Sequence, residues 1–192
     1  MIRSRRASHA VTLVLFVSAF ALAAASPARA QAPRPTPDRH VVGYGFDGGV
    51  LFPDSVFEST FTLDGFGEFY LTPRVSVRGM LAWASPGLDG RTEDHFRQVK
   101  LLFGGNYNWV YKTLRPFAGG GAGAYFVRLK LDGQEDPEGE TRGGVYFGGG
   151  SDIILNEESA IKVEFRWDFV SDPPGQYDAT GQSLTIGYKR FF

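Results

Sequence analysis

From Ala160 to Val170 the chain alternates without a fault. Ile161, Val163, Phe165, Trp167 and Phe169 take one parity, and Lys162, Glu164, Arg166 and Asp168 take the other. A period of two places successive side chains on opposite faces of a β-strand. The segment therefore demands two unlike media, one for five large apolar residues and one for four charges. In a water-soluble sandwich or barrel the charged face meets solvent and the aromatic face forms the core. In a membrane barrel the sense inverts, so that aromatics meet lipid and charges pair inside. This strand alone is compatible with both.

Seven further segments alternate in the same way. His40 to Phe52 carries Val42, Tyr44, Phe46, Val50 and Phe52 on one face. Thr60 to Leu71 sets Phe61, Leu63, Phe69 and Leu71 against Thr60, Thr62, Asp64 and Glu68. In Arg74 to Ala84, Val75, Val77, Leu81 and Trp83 oppose Arg74, Ser76, Arg78 and Met80. Phe96 to Trp109 groups Val99, Leu101, Phe103, Tyr107 and Trp109. In Pro116 to Lys130, Phe117, Tyr125, Val127 and Leu129 share a face with Gly119, Gly121 and Gly123. Gly143 to Ile154 puts Val145, Phe147 and Ile153 opposite Tyr146 and Asp152. Gln182 to Phe192 aligns Leu184, Ile186, Tyr188 and Phe192. The links alternate too. Thr72-Pro73, Val110 to Arg115 and Asn156 to Glu158 are short, whereas stretches such as Asp132 to Thr141 and Ser171 to Gly181 are long and polar. An antiparallel meander through a membrane has this rhythm, with tight turns on one side and long loops on the other. The predicted fold is all-β: an eight-stranded, antiparallel, up-and-down transmembrane β-barrel over residues 40–192.

The first thirty residues predict export. Arg3, Arg5 and Arg6 precede the apolar run Ala10 to Ala25, and Ala28-Arg29-Ala30 offers a small-x-small cleavage pattern. Residues 1–30 thus read as a signal peptide cleaved before Gln31. Residues 31–39, with Pro33, Pro35 and Pro37, read as an extended linker. The signal holds four of the 20 Lys+Arg and none of the 21 Asp+Glu, which leaves 16 cations against 21 anions, a net charge of −5. Such a chain has no basic stripe for phosphate backbones, so nucleic acid is excluded as a partner. With no cysteine there is neither a disulfide nor a lipid-acylation site.

Three features favour the membrane, the least specific being that the face opposite the large apolar residues is not bulky apolar in any strand and is often glycine or alanine. Most segments run about 10–12 residues, which matches the roughly 9–11 that a tilted strand needs to cross. Aromatics gather near strand ends (Phe52, Tyr70, Trp83, Trp109, Tyr111, Tyr125, Trp167, Phe192), as interfacial girdles do. The chain also ends on Phe192, with Tyr188 and Ile186 at matching parity and Arg190 where an apolar residue is usual. This ending resembles the C-terminal signature of outer-membrane β-barrels, and the whole of residues 40–192 resembles the small eight-stranded family that includes the outer membrane protein A transmembrane domain and outer membrane protein X. The resemblance implies an outer-membrane location, lipid around the barrel, and handling by periplasmic chaperones and the barrel-assembly machinery. It further implies that Tyr188 and Phe192 act as the assembly signal.

Chemistry-bearing motifs are sparse. His40 and His95 are the histidines beyond the signal, and no ligand cluster accompanies them. Gly119-Gly120-Gly121-x-Gly123 lies within a strand and lacks the lysine and helix of a phosphate loop. No catalytic residue, metal or cofactor is predicted. What remains is a set of charges on the small or polar faces: Glu68, Arg74, Arg78, Arg128, Asp152, Lys162, Glu164, Arg166, Asp168 and Lys189. They could line a pore. Eight strands leave little interior room, which favours a closed salt-bridge network. The function so implied is structural or surface-interacting, with loops meeting an unidentified ligand. A small-solute channel, an enzyme on the same barrel and a soluble periplasmic lipid carrier are the alternatives.

Overall fold

The computed structural model describes residues 41–54, 58–88, 91–111, 113–131, 134–135, 139–171 and 179–192, and for 88, 91–96, 129–131 and 134–135 the backbone alone. The expected signal peptide and linker, and His40, lie outside the described residues.

Eight long strands form the barrel: β1 (Val42–Pro53), β2 (Thr60–Tyr70), β3 (Val75–Ala84), β4 (Arg91–Asn108), β5 (Leu114–Leu131), β6 (Glu140–Asn156), β7 (Ser159–Val170) and β8 (Gly181–Phe191). Each pairs antiparallel with its sequence neighbours, and β1 pairs with β8 from Gly43↔Phe191 to Pro53↔Gly181. Reciprocal backbone bonds between Val42 and Phe192 fasten the seam at its end (3.1 and 2.9 Å). Closure leaves no sheet edge, the condition for strands to exist in hydrocarbon. Two short pairings, Gly87–Leu88 and Gln134–Glu135, extend the β3–β4 and β5–β6 hairpins. Among the described residues there is no helix.

The short turns are built from side chains that cap their own backbone. Thr72 Oγ1 accepts from the amides of Arg74 (3.2 Å) and Val75 (3.0 Å) between β2 and β3. Asn156 Oδ1 accepts from the Glu158 amide (3.0 Å) and the Ser159 hydroxyl (2.8 Å) between β6 and β7. Such local bonds fix a tight reversal and hence the register that follows.

The outside of the barrel is apolar. Phe46 (65% exposed), Phe103 (62%) and Ile186 (60%) exemplify a band of large hydrophobic residues with no protein over them. Water would penalise this surface heavily and lipid does not. The inside, conversely, holds the ions. Facing therefore takes the membrane sense on β1, β2, β3, β4, β7 and β8.

On β5 the facing corrects the expectation. Its aromatic side turns inward, with Phe117, Tyr125 and Val127 buried, while Ala118, Ala122 and Phe126 are exposed. The cause is register. Directly opposed residues share a face, and the β4–β5 turn sets Asn108 against Phe117 and Tyr107 against Ala118. Because Tyr107 points out, Ala118 must as well. Two of the supposed girdle aromatics, Tyr70 and Tyr125, are likewise fully buried in the lumen rather than interfacial.

Candidate functional site: the charged lumen

The interior has three levels. Near the chain termini, Tyr70, Ile154, Ala160 and Phe191 pack into an apolar cluster, with Val41 against it. Towards the other end, Phe66, Met80, Leu102, Tyr125, Val127, Tyr146, Val170 and Ala179 form a second. Among and between them run the ion pairs.

Arg78 is the centre of the network. Its Nη1 donates to Glu164 Oε2 at 2.7 Å, its Nη2 lies 3.6 Å from Glu68, and its guanidinium rests over the rings of Phe117 (5.0 Å) and Phe66 (5.3 Å). Lys162 bridges Glu164 (2.6 Å) and Asp47 and sits 4.0 Å above the Phe66 ring. Lys189 joins Glu68 (2.5 Å) to Asp152 (2.8 Å) and donates to the Tyr70 hydroxyl (2.6 Å). Arg166 pairs with Asp64 (2.8 Å) and approaches Asp168 (3.4 Å). Asp168 also accepts from Lys100 (2.6 Å) and from the Tyr125 hydroxyl (3.1 Å). Glu68 is further held by Ser76 (2.5 Å) and Asn106 (3.0 Å).

The balance of charge is close. Among the described residues, six carboxylates are buried: Asp47, Asp64, Glu68, Asp152, Glu164 and Asp168. Seven cations accompany them: Arg78, Lys100, Arg115, Arg142, Lys162, Arg166 and Lys189. Arg142 pairs with the part-exposed Glu140 (2.8 Å), leaving six against six. Every one of the six carboxylates has a cation partner. An unpaired buried charge costs several kcal/mol, so such pairing is what makes a charged interior tolerable. Arg115 is stacked on Tyr70 (4.3 Å) and donates to the Pro73 carbonyl (2.5 Å), closing the lumen beside the β2–β3 turn.

Of the charges singled out in the sequence, Glu68, Arg78, Asp152, Lys162, Glu164, Arg166, Asp168 and Lys189 are brought together here. Arg74 and Arg128 are not. Arg74 has the inward parity of Ser76 and Arg78 but lies in the turn before β3, exposed. Arg128 follows the reversed facing of β5 and is exposed on the outside. The lumen charges expected from the sequence do not include Asp47, Lys100, Arg115 or Asp64, although Asp64 is set there on the polar face of its strand. Parity alone could have found three of them, since Asp47, Asp64 and Lys100 each alternate with outward aromatics or aliphatics. Arg115 fell just outside the strand boundary then drawn. At the C-terminus, Phe192 faces out, stacked on Tyr44 (5.0 Å), and Tyr188 lies beside Phe46 (6.4 Å). Arg190 covers the Phe192 ring (5.1 Å) and reaches Glu158 (3.1 Å). Among the described residues no group of three potential metal ligands gathers.

A closed antiparallel barrel with hydrocarbon outside and compensated ions inside is a transmembrane barrel of the small, side-chain-filled kind. The sequence matches the outer membrane protein beta-barrel domain over residues 12–191, and the chain belongs to that family. Its place is the outer membrane. Among solved structures it is similar to the outer membrane protein OprG from Pseudomonas aeruginosa (12% identity, TM-score 0.64), covering 81% of this chain and 97% of that one. It is also similar to Neisserial surface protein A (10%, TM-score 0.63; 79% and 96%). A third is Ail, the attachment invasion locus protein of Yersinia pestis (12%, TM-score 0.55; 81% and 100%). At these identities the likeness is one of fold. No curated protein matches the sequence.

Proposed function

We propose that this protein is a closed outer-membrane barrel with a structural or surface-interaction role, whose working parts are its outer surface and its long loops rather than its lumen. The observation that carries this reading is the charge balance inside. Six buried carboxylates all hold cation partners, and apolar clusters lie towards both ends. A water-filled path would need to break several of these pairs. The same pairing leaves no lumen carboxylate free to act as a general base, so no catalytic role is assigned. Attachment is in the name of one structural relative, Ail, which gives a precedent for surface interaction on this fold and nothing finer.

Planar-bilayer recording of the refolded full chain tests the closed lumen. A silent bilayer, with the protein shown to be folded by its resistance to SDS until boiled, is the expected result. Regular conductance steps would put the channel in its place. Export and assembly belong to the same proposal. Cleavage after Ala30 gives a mature N-terminus at Gln31, which mass spectrometry of the membrane-inserted protein reads directly. The exposed terminal Phe192 is the residue we assign to recognition by the assembly machinery. Its deletion should lower the yield of heat-modifiable barrel in cells while sparing refolding in detergent.

A further inference from the structure

The short-turn mouth of the lumen is sealed in two different ways. On the side of β1, β2, β6, β7 and β8 the seal is packed hydrocarbon: Val41, Tyr70, Ile154, Ala160 and Phe191. On the side of β3, β4 and β5 the inward residues at that level are polar: Ser76, Asn108 and Arg115, all buried. Arg115 spans the two halves. Its guanidinium rests on the Tyr70 ring at 4.3 Å, and its Nη2 donates to the Pro73 carbonyl at 2.5 Å. Tyr70 stands directly opposite Ser76 in the β2–β3 ladder, and Asn108 Nδ2 donates to Ser76 Oγ at 3.2 Å. The polar interior thus begins at the ring that Arg115 covers.

This polar half of the seal is weakly held. Arg115 is 1% exposed, yet its Nε and Nη1 have no hydrogen-bond partner and, among the described residues, no carboxylate pairs with it. The other buried arginines, Arg78, Arg142 and Arg166, each pair with a carboxylate. A suitable acceptor is in place. Asp152 is the direct register partner of Arg115 on β6, inward and fully buried. Its Oδ2 is taken by Lys189 at 2.8 Å, and its Oδ1 has no hydrogen-bond partner. Directly opposed side chains on one face start about 4.5–5.5 Å apart, within the reach of an arginine. The guanidinium therefore has two competing sets of contacts. Tyr70 and Pro73 offer a ring face and a neutral acceptor, whereas Asp152 offers a charge-assisted bond, the stronger kind. Asp152 lies on β6, on the opposite flank of β5 from the β2–β3 turn, so turning to it draws the guanidinium off both.

We propose that Arg115 is a latch on the short-turn mouth of the lumen, closed on Tyr70 and Pro73 and released by exchange to Asp152. Release admits water and small polar solutes to a blind vestibule lined by Ser76, Asn106, Asn108 and Glu68, which are already bonded to one another. The vestibule ends at Arg78, stacked on Phe66 and Phe117 and bonded to Glu164, so the barrel stays closed to conduction. The inference rests on the closed-lumen reading above and makes one end of that lumen movable.

Because the chain has no cysteine of its own, thiol accessibility tests the latch. Two reporters are made separately in the refolded full chain, Ser76→Cys behind the latch and Gln98→Cys towards the long loops. Each is reacted with a small cationic methanethiosulfonate. The Ser76→Cys reporter should label slowly. Adding Arg115→Ala should speed it about tenfold or more, because labelling of a buried thiol follows the population of the open state, and should leave Gln98→Cys unchanged. Adding Asp152→Asn removes the charge of the alternative partner and should slow labelling of Ser76→Cys below its starting rate, whereas a purely structural role for Asp152 would speed it. Resistance to SDS until boiled confirms folding of each variant, and Arg115→Met serves if Arg115→Ala does not fold. Slow labelling unchanged by the loss of Arg115, or labelling that Asp152→Asn does not slow, overturns the latch. Rapid labelling of Ser76→Cys with Arg115 in place overturns it too, and rapid labelling of both reporters overturns the closed lumen with it.

Discussion

Strands β5 and β7 are opposite solutions to the same problem. On β7 the lumen face is Lys162, Glu164, Arg166 and Asp168, and the lipid face carries large apolar residues. On β5 the lumen face is Phe117, Tyr125 and Val127 spaced by Gly119, Gly121 and Gly123, and the lipid face is mostly alanine and glycine. One wall supplies charge, the other supplies bulk and room. The glycines make way for side chains reaching across or along the lumen. At Gly144 on the neighbouring β6, an added Cβ would lie 2.6 Å from the Tyr125 ring, and at Gly150 it would lie 2.9 Å from Phe117. Lipid accepts small residues as readily as large ones, so the more apolar face of a membrane strand need not be the outer one. Packing across a narrow interior and register from the preceding turn decide which way it faces.

Five substitutions sharpen the contrast, each read by reversible denaturant unfolding in lipid vesicles. The largest loss is expected for Arg166→Ala on β7, which leaves Asp64 without its cation and Asp168 with Lys100 alone, at about 3–5 kcal/mol. Next, a charge placed in lipid should cost about 2–4 kcal/mol on either wall, by Phe165→Arg on β7 or Ala122→Arg on β5. Equal penalties at a phenylalanine and an alanine would show that both positions face lipid, whereas a silent Ala122→Arg would return β5 to the opposite facing. Tyr125→Phe removes the hydroxyl that donates to Asp168 and should cost about 1.5–3 kcal/mol, the range for a bond to a charged group. Arg128→Ala, exposed on the outside, should change stability by less than about 0.5 kcal/mol.

The strand count and the lumen face of β7 were legible because alternation there sets charges against aromatics. Strand ends near the long loops were not. β4 begins at Arg91 rather than Phe96, and β6 at Glu140 rather than Gly143, because the hairpins continue where polar residues break the apolar rhythm. Arg74 was misplaced because parity persists in a sequence even after the strand has turned. Arg128, Tyr125 and the rest of β5 were misplaced for a deeper reason. Reading each strand by its own apolar face ignores that facing is inherited. Counting residues through the short turn from Tyr107 to Ala118 would have assigned β5 correctly without any structure.

The absence of cysteine makes the facing directly measurable. Single cysteines at Ala124, Tyr125, Phe126 and Val127 on β5, and at Glu164, Phe165, Arg166 and Trp167 on β7, can carry a fluorophore quenched by brominated lipid. Strong quenching is expected at Ala124 and Phe126, and at Phe165 and Trp167, with weak quenching at the alternate positions. Strong quenching at Tyr125 and Val127 instead would mean that the aromatic face of β5 meets lipid, and the packed lumen described above could not exist.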